Sequence, residues 1–273
     1  MMRSLWTAAS GMSSQQLNVD TISNNLANVN TTAYKKERLE FKSLLYQTMQ
    51  RADLDATNQT GRPVNLQVGL GVRPIATARI FETGNLEATY NQTDFAIDGP
   101  GFFMVQKSID EVAYTKDGTF KTSPTEEGGI MLTTSEGYPI LSIDEEPVII
   151  PEDVAISQLS VNDVGELSYI DADGMQQPLD VQFAIVQFSN VQGLEATGGN
   201  LYRQTMASGG PLFEVNGETN RISNLIQGYV EMSNVQVAEE MVKLIVAQRA
   251  YELNSKAITT SDEMLQQANN LKR

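Results

Sequence analysis

The chain has 273 residues, with 34 acidic against 19 basic side chains for a net charge of −15, and contains neither cysteine nor histidine. Without cysteine there is no disulfide, thiolate metal site or thiol nucleophile, and without histidine there is no Ser-His-Asp triad and no imidazole ligand. No apolar run approaches the roughly 20 residues that span a bilayer. The residues behind Arg3 are rich in Ser, Gln and Asn, unlike a cleaved secretory signal, so export is expected to take another route.

The first thirty residues predict a helix. Leu5, Ala8, Met12, Gln15, Val19, Ile22, Leu26 and Val29 follow one another in steps of three and four, and only Gln15 is polar. That is the seam of a helix built to lie along another helix. Arg3 and Asp20 are its only charges, so its polar faces are expected to meet protein as well. Four Asn residues crowd the end, at Asn24, Asn25, Asn28 and Asn30, where such side chains compete for backbone hydrogen bonds.

Tyr34-Lys35-Lys36-Glu37-Arg38 reads as the start of a second helical stretch through Leu39, Phe41, Leu44, Leu45 and Met49. Residues 50–65 are polar, with Gly61 and Pro63, and predict an extended excursion longer than a compact domain usually carries. Val68 to Ile80 suggests short bent strands. From Tyr90 to Val230 the pattern is all β. Short apolar runs such as Phe102-Phe103-Met104-Val105 and Phe183-Ala184-Ile185-Val186 alternate with turn pairs at Asp117-Gly118, Glu136-Gly137, Asp173-Gly174 and Asn216-Gly217. A sandwich or barrel-like domain is expected.

A long helix is predicted from about Ser233 to Leu271. One seam runs Val237, Met241, Leu244, Gln248, Tyr251, Ser255, Ile258, Asp262 and Leu265; a second runs Val246, Ala250, Leu253, Ala257, Thr260, Met264, Gln267 and Leu271. The two lie on nearly opposite faces. One apolar stripe suffices at the edge of a globule, so two imply neighbours on two sides.

The charge is uneven. Residues 91–230 hold five basic and twenty-one acidic side chains, net −16, while the terminal stretches are close to neutral. Such a chain is not expected to bind nucleic acid, which needs clustered Lys and Arg. Its termini can assemble without strong self-repulsion.

No stretch carries chemistry. Gly69-Leu70-Gly71 lacks the third glycine and helix start of a dinucleotide site. Asp171-Ala172-Asp173-Gly174 resembles the start of a calcium loop but has no closing Glu, and reads as a turn. The paired acids Glu126-Glu127, Glu145-Glu146 and Glu239-Glu240 point apart along their elements and do not converge on a sugar. Helical methionines read as packing. The chain is expected to have no catalytic site, cofactor or metal.

The terminal motifs resemble those of the bacterial flagellar axial family, the rod and hook proteins. Asn24-Asn25-Leu26-Ala27-Asn28-Val29-Asn30-Thr31-Thr32-Ala33-Tyr34-Lys35 is similar to that family's N-terminal signature. Ser233-Asn234-Val235, Glu239-Glu240-Met241, Gln248-Arg249-Ala250-Tyr251-Glu252 and Asn254-Ser255-Lys256 are similar to its C-terminal one. Phe95-Ala96-Ile97-Asp98-Gly99-Pro100-Gly101-Phe102-Phe103 and Tyr114-Thr115-Lys116-Asp117-Gly118-Thr119-Phe120 resemble the beginning of its β domain. Within the family, Met2-Arg3-Ser4-Leu5-Trp6 and Leu44-Leu45-Tyr46-Gln47-Thr48 resemble the distal-rod members. Ala33 stands where the family usually has Gly. If the backbone there needs positive φ, alanine costs about 1 kcal/mol.

The resemblance implies an α+β multidomain fold. Residues 1–30 and 231–273 would pair as a coiled-coil-like helical core forming an inner tube wall. Residues 31–90 would be a linker region with an excursion at 46–66, and residues 91–230 an outer β domain. It implies a helical homopolymer, a straight hollow shaft in the periplasm that transmits torque. Its partners would be proximal rod and hook or hook-junction proteins, a surrounding ring bushing (the P- and L-rings) and the flagellar type III export apparatus, with no insertion into the membrane. Hook and proximal-rod subunits are the nearest alternatives. A surface β module that binds polysaccharide and trimerises through its helices is an alternative of another class.

Overall fold

The computed structural model describes residues 2–50, 64–108, 111–125, 128–151, 154–171, 175–214 and 223–271. Helices α1 (Met2–Ala27) and α2 (Val237–Asn270) stand at the two ends, and the residues between them are mostly β. The chain divides into two compact units, one of Met1–Ala27, Glu37–Arg79 and Gln236–Arg273, the other of Asn28–Lys36 and Ile80–Val235. These bounds differ from those drawn on the sequence. Residues 37–79 group with the helices, and residues 28–36 and 80–90 group with the β region.

In the helical unit α1 packs against α2 and against a two-stranded hairpin of Glu37–Ser43 and Val72–Arg79. The helix expected through Leu39, Phe41 and Met49 does not form; Glu37–Ser43 and Tyr46–Gln50 are strands. The reason lies in Arg38-Leu39-Glu40-Phe41-Lys42, which alternates polar and apolar with a period of two. Tyr46–Gln50 pairs antiparallel with Leu66–Gly69, so the two ends of the excursion meet in a second ladder. Its middle, residues 51–63 with Gly61 and Pro63, lies outside the described residues. So do Glu126-Glu127, Asp173-Gly174 and Asn216-Gly217.

The β unit is built on a six-stranded sheet in the order Glu195–Gly198, Leu201–Arg203, Glu111–Thr115, Phe102–Ser108, Ile185–Gln187 and Leu212–Phe213. Both of its faces are covered, which explains the uninterrupted apolar runs in its middle strands. Phe103, Val105 and Ile185 join Phe95, Phe120, Leu132, Ile140 and Phe183 in one core. Their neighbours Phe102, Met104, Val186 and Ala184 join Tyr114, Phe188 and Tyr202 in a second. Aromatic rings meet edge to face in both, with Phe103 and Phe120 centroids 5.0 Å apart and Tyr114 and Phe188 at 4.8 Å. Gly118 is required by close approach, because a Cβ there would fall on the carbonyl oxygen of Phe95. The Phe95 N–H in turn donates to the Gly118 carbonyl at 3.0 Å.

Candidate assembly surface

The N- and C-terminal signature residues come together twice, once within each unit. In the helical unit Asn25 is buried at the last turn of α1. Its amide Nδ2 donates to the Glu37 carbonyl at 2.8 Å, and its Oδ1 accepts the Glu37 N–H at 2.9 Å. One side chain thus mimics a strand partner and ties the helix end to the hairpin. Nδ2 also reaches Glu240 Oε2 at 3.3 Å, and Glu240 accepts from Lys243 Nζ at 2.6 Å. Glu240 is the second acid in the first turn of α2, where the helix dipole favours negative charge.

In the β unit residues 28–36 run beside residues 231–234. Ala33 donates its N–H to the Glu231 carbonyl at 2.7 Å, and the Lys36 N–H donates to Asn234 Oδ1 at 2.8 Å. Asn234 Nδ2 continues to the Ile80 carbonyl at 2.8 Å. Lys35 and Glu231 form a fully buried ion pair; Lys35 Nζ also donates to the Glu82 carbonyl at 2.8 Å, and Glu231 accepts the Gly84 N–H at 2.7 Å. Burial pushes the Lys35 ammonium below the ordinary lysine range, and its attraction to Glu231 opposes that shift. Glu231 Oε2 is buried without a hydrogen-bond partner among the described residues.

A second buried lysine, Lys116, donates from Nζ to the Gly99 carbonyl at 2.8 Å and lies 5.4 Å from the centroid of Phe102. Burial first, and the nearby Lys35 charge second, bring its pKa down to about 8, against the attraction of Glu231, Asp98 and Glu214. These charges stitch short segments far apart in the sequence and face no open site. Among the described residues no three Asp, Glu, His or Cys side chains gather as metal ligands, and no helix is long and apolar enough to cross a membrane.

Three family models match the chain. One described as flagella basal body rod protein covers residues 5–35, one described as flagellar hook protein FlgE/F/G D1 domain covers residues 96–169, and one described as flagellar basal body rod FlgEFG protein C-terminal covers residues 226–271. The chain is 48% identical to the flagellar basal-body rod protein FlgG of Borreliella burgdorferi over 274 residues, covering 100% of each. It is 41% identical to that of Caulobacter vibrioides, over 99% of this chain and 100% of the other, and 39% identical to that of Bacillus subtilis, over 100% of each. The chain belongs to the flagellar basal-body rod protein family. It is a structural rod subunit of the flagellum.

For a rod subunit the surfaces that matter are those left apolar after the chain has folded. On α1, Ala8 and Ile22 are buried and Leu5, Met12, Val19 and Leu26 are half-buried. Val29 is half-buried too, but α1 ends at Ala27 and Val29 falls in the turn that follows. There the Thr31 N–H donates to the Asn28 carbonyl at 3.2 Å and the Thr31 hydroxyl to Asn28 Oδ1 at 3.2 Å, so a turn closed by the Asn28 side chain replaces the helix earlier than the seam suggests. Asn24 and Ala27 are exposed and Tyr34 is half-buried.

The α2 stripes divide differently from their sequence pattern. The helix starts at Val237 rather than Ser233. Of the first seam, Leu244, Ile258 and Leu265 are half-buried, while Val237, Met241 and Tyr251 are exposed. The sequestered face runs Glu240, Leu244, Ala247, Asn254, Ile258, Ser261 and Leu265, again in near-heptad steps. Its small and polar members hid it from a search for apolar residues. Small side chains let the helices approach: Ser4 and Ser261 hydroxyls are 3.4 Å apart, and Asn254 occupies the place where a Cβ on Gly11 would lie.

The second stripe is open. Val246 is 63% exposed and Leu253 68%, with Ala257, Met264 and Leu271 exposed beside them and Ala250 half-buried. Val242 and Ile245 widen this face. Elsewhere in the same unit Trp6 and Leu45 are 74% and 84% exposed, and Tyr46, Met49, Leu66 and Ile75 are exposed too. Apolar exposure on this scale marks a surface that another protein covers.

Proposed function

We propose that this chain is the distal-rod subunit, which polymerises through its helical unit into a straight hollow shaft. The observation that carries the reading is the open apolar face of α2 opposite a face already packed against α1. A second neighbour is needed to cover it, and in a homopolymer that neighbour is another copy. The contact is heterologous and does not close on itself, which gives a helical filament. Helices α1 and α2 pair in coiled-coil fashion as the inner wall. Leu5, Ala8, Met12, Val19, Ile22, Leu26 and Val29, with the α2 stripes, are the assembly residues.

The whole-length likeness to rod proteins supports this reading over a polysaccharide-binding trimer. The subunit passes through the flagellar type III export apparatus and joins proximal rod and hook or hook-junction proteins in the periplasm. Surrounding rings serve as a bushing. The excursion at 46–66 wedges between subunits and keeps the shaft straight. Electron micrographs of rods from cells carrying a 46–66 deletion test this directly. Curved rods are expected, and straight ones of unchanged length would defeat the wedge.

A further inference from the structure

Three stretches far apart in the sequence meet at one buried carboxylate. Residues 28–36 form no helix or strand, yet they lie seated on the β unit. Single bonds hold them there. The Thr32 carbonyl accepts from Asn200 Nδ2 at 2.8 Å, Ala33 donates to the Glu231 carbonyl, Lys36 to Asn234, and Lys35 closes on the Glu231 carboxylate. Glu231 itself ends the strand Tyr229–Glu231, which pairs antiparallel with Leu86–Ala88 and lies beside Phe95–Asp98.

Lys35 has a second buried cation for company. Lys35 and Lys116 are each 1% exposed, and Glu231 2%. Lys116 lies over Phe102, whose ring meets Phe81 edge to face at 5.6 Å, and Phe81 precedes the Glu82 carbonyl that takes Lys35 Nζ. The two ammonium groups repel each other, and Glu231 attracts both. Glu231 Oε1 is engaged by Lys35 and Gly84, whereas Oε2 makes no direct bond among the described residues, so Lys35 alone does not saturate the carboxylate. The other anions near Lys116 are worse placed to serve it. Asp98 is exposed, and Glu214 gives its oxygens to the Ser223 N–H, the Ser223 hydroxyl and Gln187 Nε2, each at 2.7 Å. Taking one partner out of a buried ionic group strands the charges left behind, and that is strongly destabilising.

We infer that Glu231 is the shared counter-ion of Lys35 and Lys116, and that it latches residues 28–36 as a strap on the β unit. The strap stays seated only while the 229–231 strand holds this carboxylate in place. The chain leaving α1 is thus fixed by a residue that shortly precedes α2. This holds in the free subunit, whether or not it polymerises.

Amide hydrogen exchange tests it at about pH 6, well below the value near 8 at which Lys116 gives up its proton. Ala33 and Lys36 report on the strap, and Leu141, whose N–H donates to the Met104 carbonyl at 2.9 Å, is the reference. Glu231→Gln keeps the shape and removes the charge. Exchange at Ala33 and Lys36 is expected to quicken about tenfold or more relative to Leu141. Adding Lys116→Met to that variant should slow the strap again by roughly threefold or more, although Lys116 donates to Gly99, outside the strap. Lys116→Met alone should give the strap no added protection. An unchanged strap in Glu231→Gln, or equal quickening at Leu141, overturns the latch. The same effect of Lys116→Met in both backgrounds overturns the shared counter-ion. If Glu231→Gln does not fold, recovery of folding by Lys35→Met and Lys116→Met together supports the inference, and no recovery overturns it.

Discussion

At Ala33 the backbone is left-handed, with φ of 55°, and the residue is buried. That conformation brings its N–H onto the Glu231 carbonyl and turns the chain so that Lys35 can reach the Glu231 carboxylate. An L-residue pays for this geometry where glycine would not, so Ala33→Gly is expected to stabilise the β unit by up to about 1 kcal/mol, read as a rise in its denaturation midpoint. Lys116 makes a prediction with a definite sign. Folded, it loses its proton at about pH 8; unfolded, it keeps it to the ordinary value of 10.5. Between those values the unfolded chain binds more protons, so stability contributed by this site rises with pH, by roughly 1 kcal/mol per unit. Lys35 is shifted in the same direction. Tyr114, pushed up to about 12 by burial and by Glu145, works the other way, but only above its ordinary value of 10.0. The clean comparison is therefore urea denaturation of the native chain and of Lys116→Met at pH 8, 9 and 10. The native chain should gain on the variant across that interval, and parallel curves would remove the buried charge from the account.

The two helices differ in what they leave uncovered. α1 spends one side on α2 and another on the Glu37–Ser43 and Val72–Arg79 hairpin, whereas α2 keeps a continuous open stripe. Val246→Lys and Leu253→Lys sit on that stripe and touch none of the sequestered face. Both are expected to leave the secondary structure of the free subunit unchanged by circular dichroism and to abolish rod formation in cells. Loss of helicity instead would mean that the stripe serves folding rather than assembly. Much of this was legible in the sequence, since heptad steps locate both helices and paired turns locate the β region. The registers were less legible. Ser14, Asn25, Glu240 and Ser261 are buried by hydrogen bonding or by their small size, and a pattern of apolar residues cannot find them. The misread stretch near Phe41 failed for a different reason: four-residue spacing from Phe41 to Leu45 and Met49 concealed a two-residue alternation that a partner strand makes decisive.

At the scale of the whole molecule, charge and apolar surface are assigned to different regions. The acidic excess lies in residues 91–230, and the widest apolar exposure lies in the helical unit. The acidic surface and the open apolar surface therefore belong to different stretches of one chain. The stripe of α2 and the exposed Trp6 and Leu45 have no cover within one copy, so the terminal segments are expected to gain stability when another protein covers them.

The measurement that bears on this most directly is amide hydrogen exchange across residues 2–27 and 237–270, in the dilute subunit and in isolated rods. Exchange in the free subunit is expected to be fast in both helices while the core strands around Phe103 and Phe183 stay protected, and assembly should slow the helices by roughly a hundredfold or more. Helices already as protected in the solitary subunit as in the rod would contradict the account.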